Sequence, residues 1–381
     1  MSGLNVHIYP NSYRSDSRSY KITHTLTTWH VFDRIVLLGT SENDLPLQEQ
    51  LDNTREIVRL PRTWGKGKHT TFWKILKTIE WSWRVLFLMH DQNIACINCH
   101  SLSVLPLSVM LKFFHHATLI YEPHELETET TGLHGFRKSL FKVMEKTFIR
   151  QADAIIVVSE SIANWYNKAY GIPMPTVVRN IPIRTKPVID KIDLKQLLMI
   201  TEHDLLFLYQ GLFGKGRNIE LLLRAFSQMP HDRHILFMGD GIYRDTVIQY
   251  SQKYRNIHYL PPVSPKKVLQ YTVSADVGLC LIENISLSYY YSLPNKLFEY
   301  LIANLPVIAY SLPEINKVIK EFGGGWIVEN CFEDVTGILS SLSRNQIEDC
   351  REQLKKTSSL LGWHCEVPLL LNIYRQLGFI L

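Results

Sequence analysis

Several features that mark particular protein classes are missing from this 381-residue sequence. No apolar run reaches the roughly 18 residues that a membrane-spanning helix needs. The first residues, MSGLNVHIYP, lack the basic and apolar segments of a secretory signal, so we expect a cytoplasmic protein. The net charge of +5 is too small for a dedicated nucleic-acid-binding protein. Its 46% hydrophobic and 20% charged residues exclude a disordered chain or a coiled coil.

The six cysteines are expected to be reduced thiols in a cytoplasmic protein. Cys96, Cys99 and His100 nevertheless match the C-x-x-C-H string of covalent haem attachment. This string falls in a predicted strand, where positions three apart face opposite sides of the sheet. No second cysteine pair follows that would complete a zinc site. We interpret the two cysteines as strand residues and expect neither haem nor a metal ligand.

Short apolar segments rich in β-branched residues alternate with amphipathic segments along the chain. This alternation favours βαβ units with parallel strands covered on both faces. The predicted fold class is therefore α/β, with two Rossmann-like domains whose parallel sheets face a central cleft. Strands are predicted at 5–9, 34–38, 56–60, 94–99, 117–121 and 154–158, then at 205–209, 234–238, 256–260, 277–281, 307–310 and 326–328. Helices are predicted at 72–88, 136–150, 218–228, 243–254, 295–302 and 334–342.

The two series of strands define the predicted domains. Residues 1–182 form the first Rossmann-like domain and residues 201–360 the second. Residues 183–200 contain proline and mixed charge, which is typical of a linker. Residues 361–381 are amphipathic and are predicted to form a helix that packs back on the first domain. Because ligands of such open sheets bind at the carboxyl ends of the strands, the cleft between the domains is the expected site.

Glycines and cations follow two neighbouring strands of the second domain. Gly211 ends one strand, and Lys215 and Arg217 precede an apolar-periodic helix. Gly239 and Gly241 follow the next strand. Glycines allow close approach of the backbone, and a helix start offers unpaired N–H groups. The pattern predicts a phosphate or diphosphate site, although a glycine-rich turn with two solvated cations remains the alternative.

A second helix start in this domain carries a more specific pattern. Pro294 suits the first turn of a helix and leaves the amides of Asn295 and Lys296 available to an anion. Glu299 lies about one turn further along. A carboxylate at that place accepts both hydroxyls of a ribose while the helix start holds the phosphates. The alternative is an ordinary glutamate on a helix surface.

Three segments of the second half resemble the retaining GT-B glycosyltransferases of glycosyltransferase family 4, in a polysaccharide-assembly branch. They are YQGLFGKGRNIELLLRAF (209–226), SADVGLCLIE (274–283) and SLPNKLFEYLIANLPVIAYSLPEI (292–315). In the first half, SDSRSYK (15–21), ADAIIVVSESIANWY (152–166) and VVRNIP (177–182) are similar to the family more loosely.

The resemblance implies that the second domain binds a nucleotide-diphosphate sugar as donor and that the first takes a glycan or lipid-diphosphate-linked acceptor. It further implies glycosyl transfer with retention of the anomeric configuration, in bacterial surface polysaccharide assembly, without a required cofactor or metal. The departing diphosphate would be stabilised by Arg217 and the helix start at Asn295 and Lys296.

The sequence departs from the family pattern at three positions. The family's Glu-x7-Glu signature ends at Glu299, which by resemblance holds the ribose, but its first glutamate is replaced by Tyr291. The arginine and lysine of the family's glycine loop align with Leu212 and Arg217. One phosphate-binding cation is therefore missing, and Lys215 or Lys296 is the candidate to compensate.

In the first domain, His124 and Glu125 follow the predicted strand that ends at Tyr121. A neighbouring carboxylate orients an imidazole and raises its basicity. The family has a histidine here, close to the donor sugar and the attacking hydroxyl, so both residues are predicted to be catalytic. The alternative is a loop histidine that caps the next segment. His100 is a weaker candidate.

Two segments of the first domain combine cations with aromatic residues. Residues 61–77 contain Arg62, Lys66, Lys68, Lys74 and Lys77 without an acid, and residues 136–150 add five cations to one acid. Such segments suit the interface of an anionic membrane, although solvated loop and helix faces are the alternative.

Two other functions stay open. Sugar-nucleotide 2-epimerases share the two-domain architecture, and the residues at 212 and 291 also fit a catalytically silent binding subunit.

Overall fold

A computed structural model describes residues 3–14, 16–65, 67, 70–184, 191–265 and 267–380. The chain divides into two compact units. Unit 1 comprises Met1–Arg179 and Glu366–Leu381, and unit 2 comprises Asn180–Cys365. Each unit is a sheet covered by helices on both faces, as expected for parallel strands that are buried on both sides.

In the described part of unit 1, eight strands form one sheet in the order β3-β4-β2-β1-β5-β6-β7-β8. All neighbours are parallel except β3, which runs antiparallel to β4. The strands are β1 (Leu4–Ile8), β2 (Arg34–Thr40), β3 (Gln48–Gln50), β4 (Arg55–Leu60), β5 (Ile94–Cys99), β6 (Thr118–Tyr121), β7 (Ala154–Val157) and β8 (Thr176–Val177). The helices are α1 (Ser17–Thr28), α2 (Thr71–Met89), α3 (Leu105–His115), α4 (Gly135–Phe148) and α5 (Glu160–Tyr170).

In the described part of unit 2, six parallel strands follow the order β11-β10-β9-β12-β13-β14. They are β9 (Leu205–Leu212), β10 (Arg233–Asp240), β11 (Ile257–Leu260), β12 (Val277–Cys280), β13 (Val307–Tyr310) and β14 (Gly325–Val328). The helices are α6 (Leu194–Leu197), α7 (Ile219–Phe226), α8 (Arg244–Lys253), α9 (Val268–Thr272), α10 (Leu287–Tyr290), α11 (Asn295–Ile302), α12 (Pro313–Phe322), α13 (Phe332–Ser341) and α14 (Arg344–Thr357). Helix α15 (Trp363–Gln376) follows, and most of it belongs to unit 1.

Strand β9 shows why a continuous apolar run folds as the centre of such a sheet. Leu206 and Leu208 lie in the core on one face, whereas Phe207 and Tyr209 lie in the core on the other. Successive side chains of a strand point to opposite faces, so both faces of this strand are apolar and both are covered.

The predicted alternation of strands and helices is confirmed in both units, because every predicted strand and helix overlaps an observed one. Cys96 and Cys99 are buried in β5, which confirms their interpretation as strand residues. The sequence does not predict the short strands β3 and β8. It also does not predict the long helices α3, α5, α12 and α14 or the short helices α6, α9 and α10.

The segment predicted as a linker differs from that expectation where the structure describes it. Residues 185–190 lie outside the described part, but α6 forms a helical turn whose Leu194 is buried in the core of unit 2. In unit 1, the hydroxyl of Tyr374 on α15 accepts a hydrogen bond from Asn98 Nδ2 at 2.9 Å. Phe32 packs edge-on against the Tyr374 ring.

Candidate functional site

A pocket of about 510 Å³ opens in unit 2 at the carboxyl ends of β9 and β10 and at the start of α11. Its lining contains most of the residues that the sequence predicts for a diphosphate site. These are Gly211, Arg217, Gly239, Pro294, Asn295, Lys296 and Glu299. The exposed Lys215 and the turn residue Gly241 are not part of this lining.

The glycines are required where the ends of β9 and β10 lie side by side. Gly239 pairs with Gly211 in the sheet, and a Cβ on Gly239 would lie 1.9 Å from the carbonyl oxygen of Gly211. Gly241 has a φ of 149°, and a Cβ there would meet the carbonyl oxygen of Phe213 at 2.5 Å. Gly241 therefore shapes the turn that follows β10, and its contact with the ligand stays a prediction.

Two cations face the pocket. The Arg217 guanidinium carbon lies 4.8 Å from the centre of the Tyr289 ring, and the buried Nε has no hydrogen-bond partner in the described residues. The Lys296 ammonium lies 3.7 Å from the centre of the Tyr209 ring. Burial, reinforced by the charge of Arg217, lowers the pKa of Lys296 to about 8. A bound anion would offset both the burial and the repulsion.

The start of α11 adds main-chain donors to these charges. Pro294 caps the helix in an extended conformation, and Asn295 and Lys296 are its first two residues. The N–H groups of such first residues have no acceptor inside the helix. The side chain of Asn295 is held by Asn180, whose Nδ2 donates to Asn295 Oδ1 at 2.7 Å. The amides at this helix start are thus available to an anion in the pocket.

Glu299 is positioned by a glutamine that the sequence analysis does not single out. Gln210 Nε2 donates to Glu299 Oε2 at 2.5 Å, and Gln210 Oε1 accepts from Thr272 Oγ1 at 2.9 Å. The carboxylate of Glu299 fixes the orientation of the Gln210 amide, because an ionised carboxylate only accepts and therefore needs the amide nitrogen. The carboxylate is held at the pocket wall with acceptor capacity for hydroxyl groups.

The wall beyond β10 is largely apolar and was not predicted. It consists of Met238, Pro262, Val263 and Val268. A surface of this kind suits the face of a planar ring better than a charged group.

Of the positions that depart from the family pattern, Leu212 is in the lining of the pocket and Tyr291 is not. Leu212 lines the pocket and is 62% exposed, so an apolar side chain stands where the resemblance implies a cation. Tyr291 packs its ring against Tyr290, with 5.2 Å between ring centres, and is not part of the lining.

A second group of polar residues lies at the carboxyl ends of β1, β5 and β6 in unit 1. His100 Nδ1 lies 3.2 Å from His124 Nε2 and 3.6 Å from Glu122 Oε2. These three side chains have the spacing of a possible metal-ligand set, which the sequence analysis did not expect. His124 is half-buried, and the adjacent Glu125 is exposed. The carboxylate in this cluster is Glu122, and His124 contacts His100, whereas the orientation of the imidazole by Glu125 stays a prediction.

The charges around this cluster are buried. Arg18 Nε donates to Glu122 Oε1 at 2.5 Å, and both side chains are almost fully buried. Burial lowers the pKa values of His100 and His124 to about 4, which keeps both imidazoles neutral at pH 7. The charge of Asp16 opposes this shift without reversing it. In the predicted segment 15–21, Ser15 lies outside the described residues.

Helices α2, α3 and α4 of unit 1 enclose an apolar groove of about 600 Å³. Its lining includes Ile79, Trp83, Leu86, Met110, Phe141 and Met144. Large exposed apolar side chains continue beyond it, among them Phe87, Phe114 and Phe136, which are 88%, 70% and 82% exposed. None of the described helices is long and apolar enough to cross a membrane.

The predicted cations have different places relative to this groove. Lys74 and Arg137 line it. Arg62 is half-buried with its guanidinium over the Trp81 ring, and Lys138 and Lys142 pair with Glu129. Lys66 and Lys68 lie outside the described residues. Of the predicted cations that the structure describes, Lys74 and Arg137 are the two in the lining of the groove, where apolar side chains form most of the surface.

Family comparisons divide the chain in the same way as the structure. Residues 33–181 match the model of the family described as Glycosyltransferase Family 4, and residues 190–359 match that of Glycosyl transferases group 1. A Bacillus subtilis (strain 168) protein, TuaH, whose name assigns it to teichuronic acid biosynthesis, is 23% identical over 238 residues. The match covers 61% of this chain and 59% of that protein's length.

Solved structures resemble the whole chain at low identity. Sucrose-phosphate synthase from Thermosynechococcus elongatus has a TM-score of 0.79 at 14% identity, and each chain is covered to 99%. Anabaena Alr3699/HepE, solved with UDP and glucose, has a TM-score of 0.73 at 13% identity and the same coverage. These likenesses confirm the predicted α/β fold class of two Rossmann-like domains with parallel sheets.

Proposed function

This chain is a glycosyltransferase of the GT-B class, and from that premise we propose that it transfers a sugar from a nucleotide-diphosphate donor with retention of the anomeric configuration. The acceptor in this proposal is a glycan or a lipid-diphosphate-linked glycan of a bacterial surface polysaccharide. The observation that carries the proposal is the pocket of unit 2, which combines two cations, a helix start and an oriented carboxylate.

The cations and the helix start suit the leaving group of glycosyl transfer. Cleavage of the bond between the sugar and the diphosphate leaves negative charge on the diphosphate oxygens. Arg217, Lys296 and the N–H groups at the start of α11 neutralise that charge, which lowers the barrier to departure. Lys296 here takes the place of the cation that Leu212 does not supply.

The remaining walls of the pocket suit the nucleoside. The carboxylate of Glu299 accepts hydrogen bonds from the ribose hydroxyls, and its link to Gln210 reduces the entropy lost on binding. The apolar wall with Met238 and Val263 receives the base. The structure of Anabaena HepE with UDP-glucose suggests uridine as the first nucleoside to test.

Calorimetric titration with UDP and with 2′-deoxy-UDP tests this assignment. The unmodified protein is expected to prefer UDP by about tenfold, because a hydrogen bond to a charged group contributes about 1.5–3 kcal/mol. Glu299→Ala removes that preference, and Glu333→Ala, an exposed glutamate on α13, keeps it. Equal affinity of the unmodified protein for both nucleotides would contradict the assignment of Glu299.

Retention is supported by the resemblance of segments 209–226 and 292–315 to the retaining branch. Proton NMR of slow donor hydrolysis tests it without knowledge of the acceptor. From an α-linked UDP-sugar, the first sugar released is expected to be the α anomer, before mutarotation. Initial release of the β anomer would contradict retention, and a new UDP-sugar epimer would favour the epimerase alternative.

The apolar face of unit 1 supports docking on a membrane that carries a lipid-linked acceptor, at its cytoplasmic side. Exposed aromatic residues beside Lys74 and Arg137 fit the boundary between acyl chains and anionic headgroups. The name of the TuaH relative supports a surface-polysaccharide role.

Vesicle sedimentation tests this docking. Binding to vesicles with anionic lipid is expected to fall several-fold in Trp83→Ser, whereas Trp29→Ser, a similarly exposed tryptophan outside the groove, retains it. Recovery that is the same with neutral vesicles, anionic vesicles and no vesicles would contradict the proposal.

A further inference from the structure

The histidines of unit 1 belong to one continuous chain of hydrogen bonds that begins in the core. Asn5 lies on the central strand β1 and is fully buried. Its Nδ2 donates to the backbone carbonyl of Cys96 at 3.1 Å and to Asn98 Oδ1 at 2.9 Å. A carbonyl oxygen only accepts, so the amide nitrogen of Asn5 must face it. The orientation of the Asn5 amide is thereby fixed, and its Oδ1 is left as an acceptor.

This fixed acceptor determines the tautomer of the next ring. His7 Nε2 lies 2.8 Å from Asn5 Oδ1 and must therefore carry a proton. Burial lowers the pKa of His7 well below its ordinary value, so the ring is neutral and its Nδ1 has a lone pair. That Nδ1 lies 2.8 Å from His100 Nε2, which must donate to it.

The position of the proton on His124 follows from its contact with His100. His100 is neutral and donates through Nε2, so its Nδ1 accepts. His124 Nε2 lies 3.2 Å away and supplies the proton. The neutral His124 ring therefore carries its lone pair on Nδ1. This chain of hydrogen bonds runs from fully buried residues to the half-buried His124. His124 is therefore the member of the chain that a substrate can reach.

We infer that His124 presents an unprotonated Nδ1 as acceptor to a hydroxyl group of a bound sugar, and that Asn5, His7 and His100 are positioning residues that impose this tautomer. The inference deepens the proposed function and rests on it for the identity of the sugar. The hydroxyl belongs either to the donor sugar or to the acceptor, and both offer the same chemistry.

Other titratable groups surround these rings. Asp16 and Arg18 from the region of α1 and Glu122 after β6 act on them, and Tyr9 after β1 packs edge-on against His124. Glu125 and Glu127 act on Tyr9. Glu122 Oε2, 3.6 Å from His100 Nδ1, is too far for a hydrogen bond and has no partner in the described residues. The second oxygen of this carboxylate is paired with Arg18. A divalent cation between His100, Glu122 and His124 is the competing use of the same lone pairs.

Nitrogen-15 NMR of the histidine-labelled full chain, without substrate, tests the tautomers. His7, His100 and His124 are expected to show a protonated Nε2 and an unprotonated Nδ1 from pH 5 to pH 8. A proton on Nδ1 of His124, or an imidazolium at pH 7, would overturn the inference. So would one equivalent of zinc in the purified protein that is absent from His100→Gln.

Kinetics of two variants at His100 then tests the positioning role. His100→Leu removes the acceptor that keeps the proton on His124 Nε2, so the KM of one sugar substrate at pH 7 is expected to rise several-fold. Glutamine can donate to His7 and accept from His124, so His100→Gln is expected to restore the KM. His258→Phe, in the separate His234–His258 pair of unit 2, is the control.

The affected KM, for donor or for acceptor, identifies the source of the hydroxyl. An unchanged KM for both substrates in a folded His100→Leu protein would overturn the positioning role. A protein that transfers no sugar would contradict the proposed function, while the tautomer measurement would still decide the geometry.

Discussion

At the level of single residues, the chemistry of the pocket depends on Lys296. Its ammonium group is close to Arg217 and stacked on the ring of Tyr209. Burial and the like charge both disfavour protonation, so Lys296 loses its proton near pH 8, whereas an ordinary lysine keeps it to about pH 10.4. The affinity for a diphosphate should therefore depend on pH in a range where other lysines stay charged.

Calorimetry between pH 7 and pH 9 measures this dependence. Lys296 is charged below about pH 8 and neutral above it, so UDP binding is expected to weaken by about tenfold as the pH rises through that value. Lys296→Arg keeps its charge across the range and is expected to bind with little change in affinity. A decline of the same size in both proteins would show that another group is responsible.

The sequence predicts a site residue when the residues that define its role are close in the sequence, and misses it when they are far apart. Gly211, Arg217 and the start of α11 were predicted because a local pattern, a glycine or proline beside a helix start, carries the chemistry. Gln210 was not predicted, because its hydrogen bond to Glu299 joins residues that are 89 positions apart in the sequence. The chain of hydrogen bonds from Asn5 to His124 was missed for the same reason, since it depends on which strands are neighbours in the sheet.

At the level of secondary-structure elements, a buried carboxylate ties α4 to the elements around it. Glu145 on α4 accepts hydrogen bonds from the hydroxyls of Tyr121 on β6 and of Tyr166 and Tyr170 on α5, at 2.7–2.8 Å. Burial raises the pKa of Glu145, and the three hydroxyls counteract that shift. The cluster therefore stabilises the packing of both helices on the sheet.

Tyr170→Phe tests the contribution of this cluster. The substitution removes one hydrogen bond to a buried carboxylate, so the free energy of unfolding at pH 7 is expected to fall by about 1.5–3 kcal/mol. Denaturant unfolding followed by circular dichroism measures it. Tyr254→Phe, which removes a half-buried hydroxyl at the end of α8, should change stability by less than about 0.5 kcal/mol. Equal losses in the two variants would contradict a special role for Glu145.

The elements themselves were predicted where hydrophobic periodicity is strong. Strand β9 is apolar on both faces and has a glycine near its end, so its position in the sequence was predicted. Strand β3 has the sequence Gln-Glu-Gln and forms only because it pairs with β4. No local pattern marks such a strand, because its stability comes from a tertiary contact.

At the level of the whole molecule, each of the two units has its own sheet, and we propose that the donor nucleotide binds in unit 2. Hydrogen exchange detected by mass spectrometry locates the binding directly. UDP is expected to slow exchange at the start of α11 and at the carboxyl ends of β9 and β10, because ligand binding suppresses local opening. Protection confined to unit 1 would contradict this placement.

A crystal structure of the full chain with UDP tests the central claim most directly. The diphosphate is expected within hydrogen-bond distance of Arg217, Lys296 and the first amides of α11, with the ribose hydroxyls hydrogen-bonded to Glu299. A nucleotide bound at another place, or a diphosphate that makes none of these contacts, would contradict it.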